Sequence, residues 1–159
     1  MAETKTERKV TVILATDVVG YSVKMEENED QTLKNLKVCR GIIEGLVKEH
    51  HGRIFNTAGD SVLAEFQSAV EAVICGSEFQ NTIKERNNSV PEEEQMEFRI
   101  GINMGDVVIE GDNLYGEGVN VAARLEALAQ PGGVCLSKNV HEIVNKKTDF
   151  QFHDLGEQK

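Results

Sequence analysis

Two aspartates stand at positions where they could bind metal ions together. Asp17 lies near the end of a strand predicted for Val10–Val19, and Asp60 lies between the strands of a hairpin predicted for Arg53–Thr57 and Ser61–Phe66. In a sheet that places the first strand beside this hairpin, both carboxylates could reach one edge and chelate hard cations. Two such ions could activate one oxygen and stabilise another in an in-line displacement.

A short segment after the first aspartate could bind phosphate. Gly20, Tyr21 and Ser22 follow Asp17 closely, and a turn there can point backbone N–H groups at an anion. The alternative is an ordinary glycine turn in which Ser22 caps a helix.

A second pair of polar residues could contact the same ligand. Asn120 and Arg124 are four residues apart near the start of a predicted helix, so they share one helix face. Arg124 offers a planar, charged fork suited to phosphate, and Asn120 can orient a hydroxyl. The alternative is a surface arginine paired with Glu126 or another carboxylate.

Several elements must position these residues. A helix is predicted over Asp30–His51 with Gly52 as its C-cap, and a second over Ser68–Arg86 with Ser68 as its N-cap. A loop over 87–95 follows. The remaining predictions are a hairpin of Glu97–Asn103 and Asp106–Ile109 around Gly105, a helix over Val119–Ala129, a strand over Val134–Ser137, a helix over Asn139–Val144 and a last strand over Phe150–Leu155.

The order of these elements predicts the fold class. Strands and helices alternate as β, α, β, β, α, β with appended elements, which is typical of an α+β fold with a ferredoxin-like sheet and helices on one face. Residues 1–8 are polar and are predicted to be a flexible terminus, and residues 9–159 are predicted to form a single domain.

The composition excludes some classes of function. Lys and Arg number 17 against 27 Asp and Glu, a formal net charge of −10, which argues against binding to nucleic acid. A polyanionic ligand would need local compensation such as metal ions. The chain has no apolar run long enough to span a membrane, and Cys39, Cys75 and Cys135 lie in apolar stretches, so we expect a cytoplasmic protein with buried, reduced thiols.

Three motifs together resemble a known family. ATDVVGYS at 15–22, NTAGDSVLAEF at 56–66 and NLYGEGVNVAARLE at 113–126 are similar to the motifs of the class III adenylyl/guanylyl cyclase catalytic domain. The resemblance runs from Arg8 to Glu157. It implies the class III cyclase fold and an adenylate cyclase that converts ATP into 3′,5′-cyclic AMP and pyrophosphate, using two divalent cations, Mg²⁺ or Mn²⁺.

The resemblance also assigns roles to individual residues. Asp17 and Asp60 match the metal-binding aspartates, and the carbonyl of Val18 matches a backbone metal ligand. The segment whose amides hold the β- and γ-phosphates is matched by Val19, Gly20, Tyr21 and Ser22.

The remaining catalytic positions imply a shared site. Asn120 matches the residue that positions the ribose, and Arg124 matches the residue that steadies the α-phosphate in the transition state. In the family these residues come from the opposite subunit to the metal-binding aspartates. The resemblance therefore implies a homodimer in which neither chain is active alone.

The base-recognition positions depart from the family pattern. Adenylyl cyclases have Lys and Asp where this chain has Asn56 and Asn113, and the Glu and Cys typical of guanylyl cyclases are absent as well. An Asn amide carries both a donor and an acceptor, so each could contact a base edge, and Asp112 could substitute for Asn113 if the loop shifts register. ATP is the expected substrate, and GTP or mixed purine specificity is the alternative.

Two other functions stay open. A catalytically silent regulatory domain that binds nucleotide is one, although such a domain would be expected to lose some of the motif residues. A synthase of cyclic dinucleotides on a related fold is the other, but its acidic double-glycine signature is absent.

Family domains also continue past Asp154–Glu157 into a strand bearing a lysine. The domain is therefore expected to be truncated before its last strand, and Lys159 comes too early to match that lysine.

Overall fold

The computed structural model describes residues 6–152. In this part of the chain the strands are β1 (Glu7–Val18), β2 (Arg53–Ala58), β3 (Ser61–Phe66), β4 (Phe98–Glu110), β5 (Asn113–Tyr115) and β6 (Val134–Leu136). The helices are α1 (Tyr21–Glu27), α2 (Glu29–Glu49), α3 (Ala69–Asn88), α4 (Glu117–Leu128) and α5 (Lys138–Asn145), and one 3-10 turn covers Glu92–Glu94. None of the described helices combines the length and the apolar composition that a membrane crossing requires.

The strands form one sheet in the order β2-β3-β1-β4-β5, and β6 pairs with β4 in parallel. β1 is central and runs antiparallel to both β3 and β4. The first four strands, with α2 and α3 as their connections, form the βαββαβ arrangement predicted from the sequence. The ferredoxin-like α+β fold is therefore confirmed.

Helices cover both faces of this sheet, so the prediction that they lie on one face was wrong. Side chains alternate along a strand, and Val12 and Leu14 of β1 pack into the core made by α2, α3 and α5. Ile13 and Ala15 point the other way, into a smaller core that includes Val119 and Ala122 of α4. The second face is the one that carries the candidate site.

The predicted hairpin around Gly105 is absent, because β4 continues unbroken through that residue. Gly105 pairs with Thr11 of β1 and leaves room for α4, since a Cβ there would lie 3.3 Å from the Cα of Gly118. The turn falls instead at Gly111, whose φ of 60° is left-handed, between β4 and β5.

The end of α2 also differs from the prediction. His51, rather than Gly52, adopts the left-handed conformation, with φ 63°. The amide of Gly52 donates to the carbonyl of Val47 over 2.7 Å. Gly52 serves a packing role instead, because a Cβ there would lie 2.6 Å from the ring of Phe66.

Several smaller predictions have clear outcomes. β1 begins at Glu7, so the flexible terminus predicted for 1–8 extends too far, and residues 1–5 lie outside the described residues. α3 runs on to Asn88, into the predicted loop. Residues 150–152 are not in a strand, and the rest of the strand predicted for Phe150–Leu155 lies outside the described residues. The three cysteines are buried and free, as predicted.

The backbone of helix α4 lies in close contact with the backbone of β4. A Cβ at Gly101 would lie 2.3 Å from the carbonyl oxygen of Ala122 and 2.2 Å from the amide nitrogen of Glu126. Both of these are backbone atoms, so a side chain at this position could be accommodated only by moving the helix. The absence of a side chain at Gly101 therefore fixes how close α4 comes to the sheet.

Substitution of Gly101 should show this constraint directly. We expect Gly101→Ala to destabilise the fold by about 2 kcal/mol or more, because α4 must lift off the sheet. Gly45→Ala is the matched control: Gly45 is exposed within α2 with open space around it, so the same change should stabilise by about 0.5–1 kcal/mol. Urea denaturation of both variants checks this, and equal midpoints would contradict it.

Candidate active site

The first aspartate of the candidate site lies at the carboxyl end of β1. Asp17 is half-buried and shares a sheet face with Ala15, which places it under α4. It pairs across the sheet with Arg99 of β4. The next residue, Val18, is buried and ends the strand.

The second aspartate reaches the same place from the β2–β3 turn. Asp60 accepts a hydrogen bond from the backbone amide of Val18, with 3.0 Å between Oδ2 and N. Gly59 makes the turn with a left-handed φ of 58°, and the guanidinium of Arg40 on α2 donates to its carbonyl. The convergence of Asp17 and Asp60 on one edge, predicted from the sequence, is therefore present in the fold.

A third carboxyl group lies beside this pair, and the sequence did not indicate it. Burial and a hydrogen bond with Asp17 raise the pKa of Glu126 to about 8. The negative charge of Asp60 adds to the rise, while Arg99 opposes it. Glu126 lies one helical turn after Ala122, which faces the sheet, and that spacing was the signal that could have revealed it.

Arg99 is the second residue that the sequence did not indicate. It is half-buried opposite Asp17, and its Nε atom is buried without a hydrogen-bond partner among residues 6–152. Its positive charge lowers the pKa of Glu126, so it offsets part of the negative charge of the carboxyl groups. Its position opposite Asp17 follows from the register of β1 with β4, which runs straight through Gly105.

These carboxyl groups fit divalent cations. Carboxylate oxygens are the ligands that Mg²⁺ and Mn²⁺ prefer, and Asp17 and Asp60 both lie close enough to Glu126 for their negative charges to raise its pKa. The side chains of the described residues do not form a closed cage of three or more ligands. A bound cation would need further oxygen ligands, such as a backbone carbonyl or a phosphate.

The predicted phosphate-binding segment begins helix α1. Gly20 is left-handed, with φ 68°, and α1 starts at Tyr21 without a side-chain cap, so Ser22 does not cap it. The amide of Val19 donates to the carbonyl of Glu97 over 2.8 Å and is therefore already paired. The amides in the first turn of a helix lack intrahelical acceptors, which leaves Gly20, Tyr21 and Ser22 as the stronger phosphate-binding positions.

Asn120 and Arg124 lie on the opposite side of α4 from the carboxyl groups. Both are exposed, whereas Ala122 between them is fully buried against the sheet. No ion pair joins Arg124 to Glu126, which instead contacts Asp17. Within one chain, α4 therefore separates the two groups of candidate catalytic residues.

The three predicted base-recognition residues come from two edge strands. Asn56 is half-buried on β2, Asn113 begins β5, and Asp112 lies in the exposed turn before it. The side chain of Asn113 accepts from the amide of Leu114 over 2.9 Å and donates to the hydroxyl of Tyr115 over 3.0 Å. These bonds fix the orientation of the Asn113 amide.

Comparisons with known proteins show which family this chain is similar to. The sequence profile of the family described as "Adenylate and Guanylate cyclase catalytic domain" matches residues 2–159. "Putative adenylate cyclase 3" of Rhizobium meliloti is 45% identical over 157 residues, which cover 98% of this chain and 27% of that protein. The chain thus spans about a quarter of the length of this relative.

Solved structures give the same answer for the fold. The "Adenylate/Guanylate Cyclase/Hydrolase from Silicibacter pomeroyi" is 42% identical, with a TM-score of 0.90 over 98% of this chain and 91% of that one. "The guanylyl cyclase Cya2" is 25% identical, with a TM-score of 0.80 over 98% of this chain and 90% of that one. Enzymes named for both purines are therefore among the similar structures.

Cation binding at the carboxyl groups can be measured through stability. We expect saturating Mn²⁺ to stabilise the wild-type chain by about 2–3 kcal/mol, since a ligand at 100 times its Kd contributes about that amount. Asp17→Asn should lose most of this gain. The control is Asp106→Asn, which removes an exposed carboxylate that pairs with Arg8. Thermal unfolding with and without Mn²⁺ checks the result, and an undiminished gain in Asp17→Asn would contradict it.

Proposed function

The chain belongs to the family of adenylate and guanylate cyclase catalytic domains, and on that premise we propose that it converts ATP into 3′,5′-cyclic AMP and pyrophosphate. The convergence of Asp17 and Asp60 at the end of β1, joined through the amide of Val18, is the observation that carries the proposal. The Rhizobium meliloti relative, named as a putative adenylate cyclase, supports the choice of ATP.

The metal ligands in this proposal are Asp17, Asp60 and the carbonyl of Val18. Two divalent cations, Mg²⁺ or Mn²⁺, would lower the pKa of the ribose 3′-hydroxyl and offset the charge of the departing pyrophosphate. Glu126 forms a hydrogen bond with Asp17 and so restrains that carboxylate.

The triphosphate is held by the backbone and by an arginine. The first-turn amides of α1 at Gly20, Tyr21 and Ser22 donate to the β- and γ-phosphates. Val19 contributes through the shape of the turn, because its amide is already bonded to Glu97. The guanidinium of Arg99 adds positive charge beside the carboxyl groups, which favours an anionic ligand there.

A second copy of the chain completes each site. Asn120 and Arg124 are exposed on the outer face of α4, whereas the carboxyl groups lie on its inner side. A ligand on the carboxyl groups could therefore meet these two residues only from another subunit. In the resulting homodimer Asn120 orients the ribose, and Arg124 stabilises charge on the α-phosphate as the 3′-oxygen attacks the phosphorus.

The purine is read by neutral side chains. Asn56 and Asn113 each offer a donor and an acceptor to a base edge, and Asp112 lies in the adjoining turn. Adenine is favoured because position 56 lacks the glutamate typical of guanylyl cyclases. Cyclisation of GTP, or of both purine nucleotides, is the alternative reaction at the same site.

The cytoplasmic location of the protein stays a prediction.

Product analysis tests the reaction. The purified chain, at high protein concentration with Mn²⁺ and either ATP or GTP, should yield cyclic AMP from ATP as its main product, identified by mass. Asp17→Ala and Asp60→Ala should each abolish turnover because the cations lose a ligand. Cyclic GMP as the main product would change the purine assignment. No product from either nucleotide would favour the silent regulatory domain.

Mixing of variants tests the shared site. Arg124→Ala alone should lose about 10³-fold in rate, the size of effect that arginine groups have in phosphoryl transfer. Mixing it with Asp17→Ala should recover about a quarter of the wild-type rate, since half of the dimers are mixed and each has one whole site of two. Mixing Asp17→Ala with Asp60→Ala is the control and should recover nothing, because both changes lie in the same half-site. Failure of the first mixture would contradict the dimer.

A further inference from the structure

The two edge strands that carry the base-recognition residues are joined by one arginine. β2 and β5 lie at opposite ends of the strand order, yet the sheet curls enough for them to meet. Arg53 of β2 donates from Nη1 to the backbone carbonyl of Asp112 over 2.6 Å. Its Nη2 atom pairs with Glu65 of β3 over 3.0 Å. The guanidinium therefore bridges the hairpin of β2 and β3 to the turn before β5.

Glu65 is a fixed anchor for this bridge. Its side chain is only 9% exposed, and besides Arg53 it accepts from the hydroxyl of Thr11 over 2.9 Å and pairs with Lys9 over 2.6 Å. Burial alone would raise the pKa of Glu65, but the hydrogen bonds from Lys9, Thr11 and Arg53 outweigh it and hold the pKa below its usual value. Glu65 is thus a charged, well-connected carboxylate that holds one side of the guanidinium in place.

The turn that Arg53 holds is exposed, although the strand after it is anchored by the buried side chain of Leu114. β5 has three residues and pairs with β4 on one side, and Gly111 and Asp112 in the turn are exposed. A short, exposed edge hairpin moves more readily than the centre of a sheet. A charge-assisted hydrogen bond to a turn carbonyl is the kind of contact that restricts such movement.

The position of this turn matters because the two proposed base-recognition residues, Asn56 and Asn113, have neutral side chains. A lysine or an aspartate discriminates by its charge, as donor only or acceptor only, whereas an Asn amide presents both groups. Two Asn residues can therefore tell adenine from guanine only if each amide is held at a defined place and orientation. Asn113 is oriented by Leu114 and Tyr115, and its distance from Asn56 depends on where the turn lies.

We propose that Arg53, anchored by Glu65, is a positioning residue that sets the purine selectivity of the nucleotide site by fixing the turn of Asn113 relative to Asn56. Arg53 and Asn56 lie on the same strand, and Asp112 precedes Asn113, so the bridge links the two base-recognition residues through short stretches of backbone. The proposal rests on the proposed function. Arg53 acts through the backbone and does not touch the base.

The conservative variant Arg53→Lys separates this role from a general effect of charge. A lysine keeps the positive charge, but its single ammonium cannot bridge Glu65 and the carbonyl of Asp112 as the planar fork does. We expect the ratio of kcat/KM for ATP to that for GTP to fall about tenfold, the scale on which misplaced hydrogen bonds weaken discrimination. KM should carry most of the change, with kcat within about threefold of the wild type, because Arg53 lies outside the reacting groups.

Two further variants sharpen the test. Glu65→Gln keeps the shape of the anchor and removes its charge, so the ratio should fall in the same direction but less. Arg8→Ala is the matched control, since it removes another arginine that pairs with a carboxylate, Asp106, at 2.9 Å on the surface. Arg8→Ala should leave the ratio unchanged.

Two measurements besides turnover decide the outcome. Hydrogen exchange should speed up at the amides of 110–115 in Arg53→Lys and not in Arg8→Ala, and binding of 3′-deoxy-ATP, which cannot cyclise, should weaken relative to 3′-deoxy-GTP. Unchanged exchange, or faster exchange with an unchanged nucleotide ratio, overturns the inference. If the wild-type chain cyclises neither nucleotide, the proposed function is wrong. If the wild-type chain is active and Arg53→Lys leaves the ratio of kcat/KM for ATP to that for GTP unchanged, only the inference about Arg53 is wrong.

Discussion

The contact of α4 with the sheet is the constraint on which the candidate site depends. The helix lies at backbone distance from β4 because Gly101 and Gly118 have no side chains: a Cβ at Gly118 would lie 2.7 Å from the carbonyl of Asp106. This approach brings Glu126 to Asp17 on the inner side of the helix and presents Arg124 on the outer side. In the proposed dimer this twelve-residue helix carries parts of two different half-sites, and the glycines at its contact with the sheet set the geometry of both.

The sequence predicted the elements that depend on local patterns. Ser68 caps α3 through a bond from the amide of Glu71, and the Val- and Ile-rich run forms the central strand, as expected from propensity and capping. Gly105 was misread because a glycine that makes room for a helix looks the same in sequence as one that makes a turn. Arg99 and Glu126 were missed because their neighbours come from distant parts of the chain, which strand register and helix packing alone bring together.

The chain as a whole is acidic, whereas the candidate site contains groups that can bind an anion. A formal net charge of −10 would repel the proposed triphosphate substrate at long range, so its binding would rely on short-range groups. The fold supplies these as helix N-terminal amides, two arginines and carboxyl groups suited to cations. Under the proposed function, neutral side chains at Asn56 and Asn113 would suffice for the base, because the affinity would come from the phosphate end and the amides would need only to discriminate.

The outward face of α4 has a consequence for how the activity would scale. Arg124 faces away from the carboxyl groups of its own chain, so under the proposed function a single chain would hold halves of two separate sites and no complete one. If the proposed dimer is the active species and is weak, output rises with the square of the amount of protein until the dimer saturates. Doubling the amount of protein would then quadruple the rate of product formation. Anything that brings two copies together or holds them apart would raise or lower this rate without altering any catalytic residue.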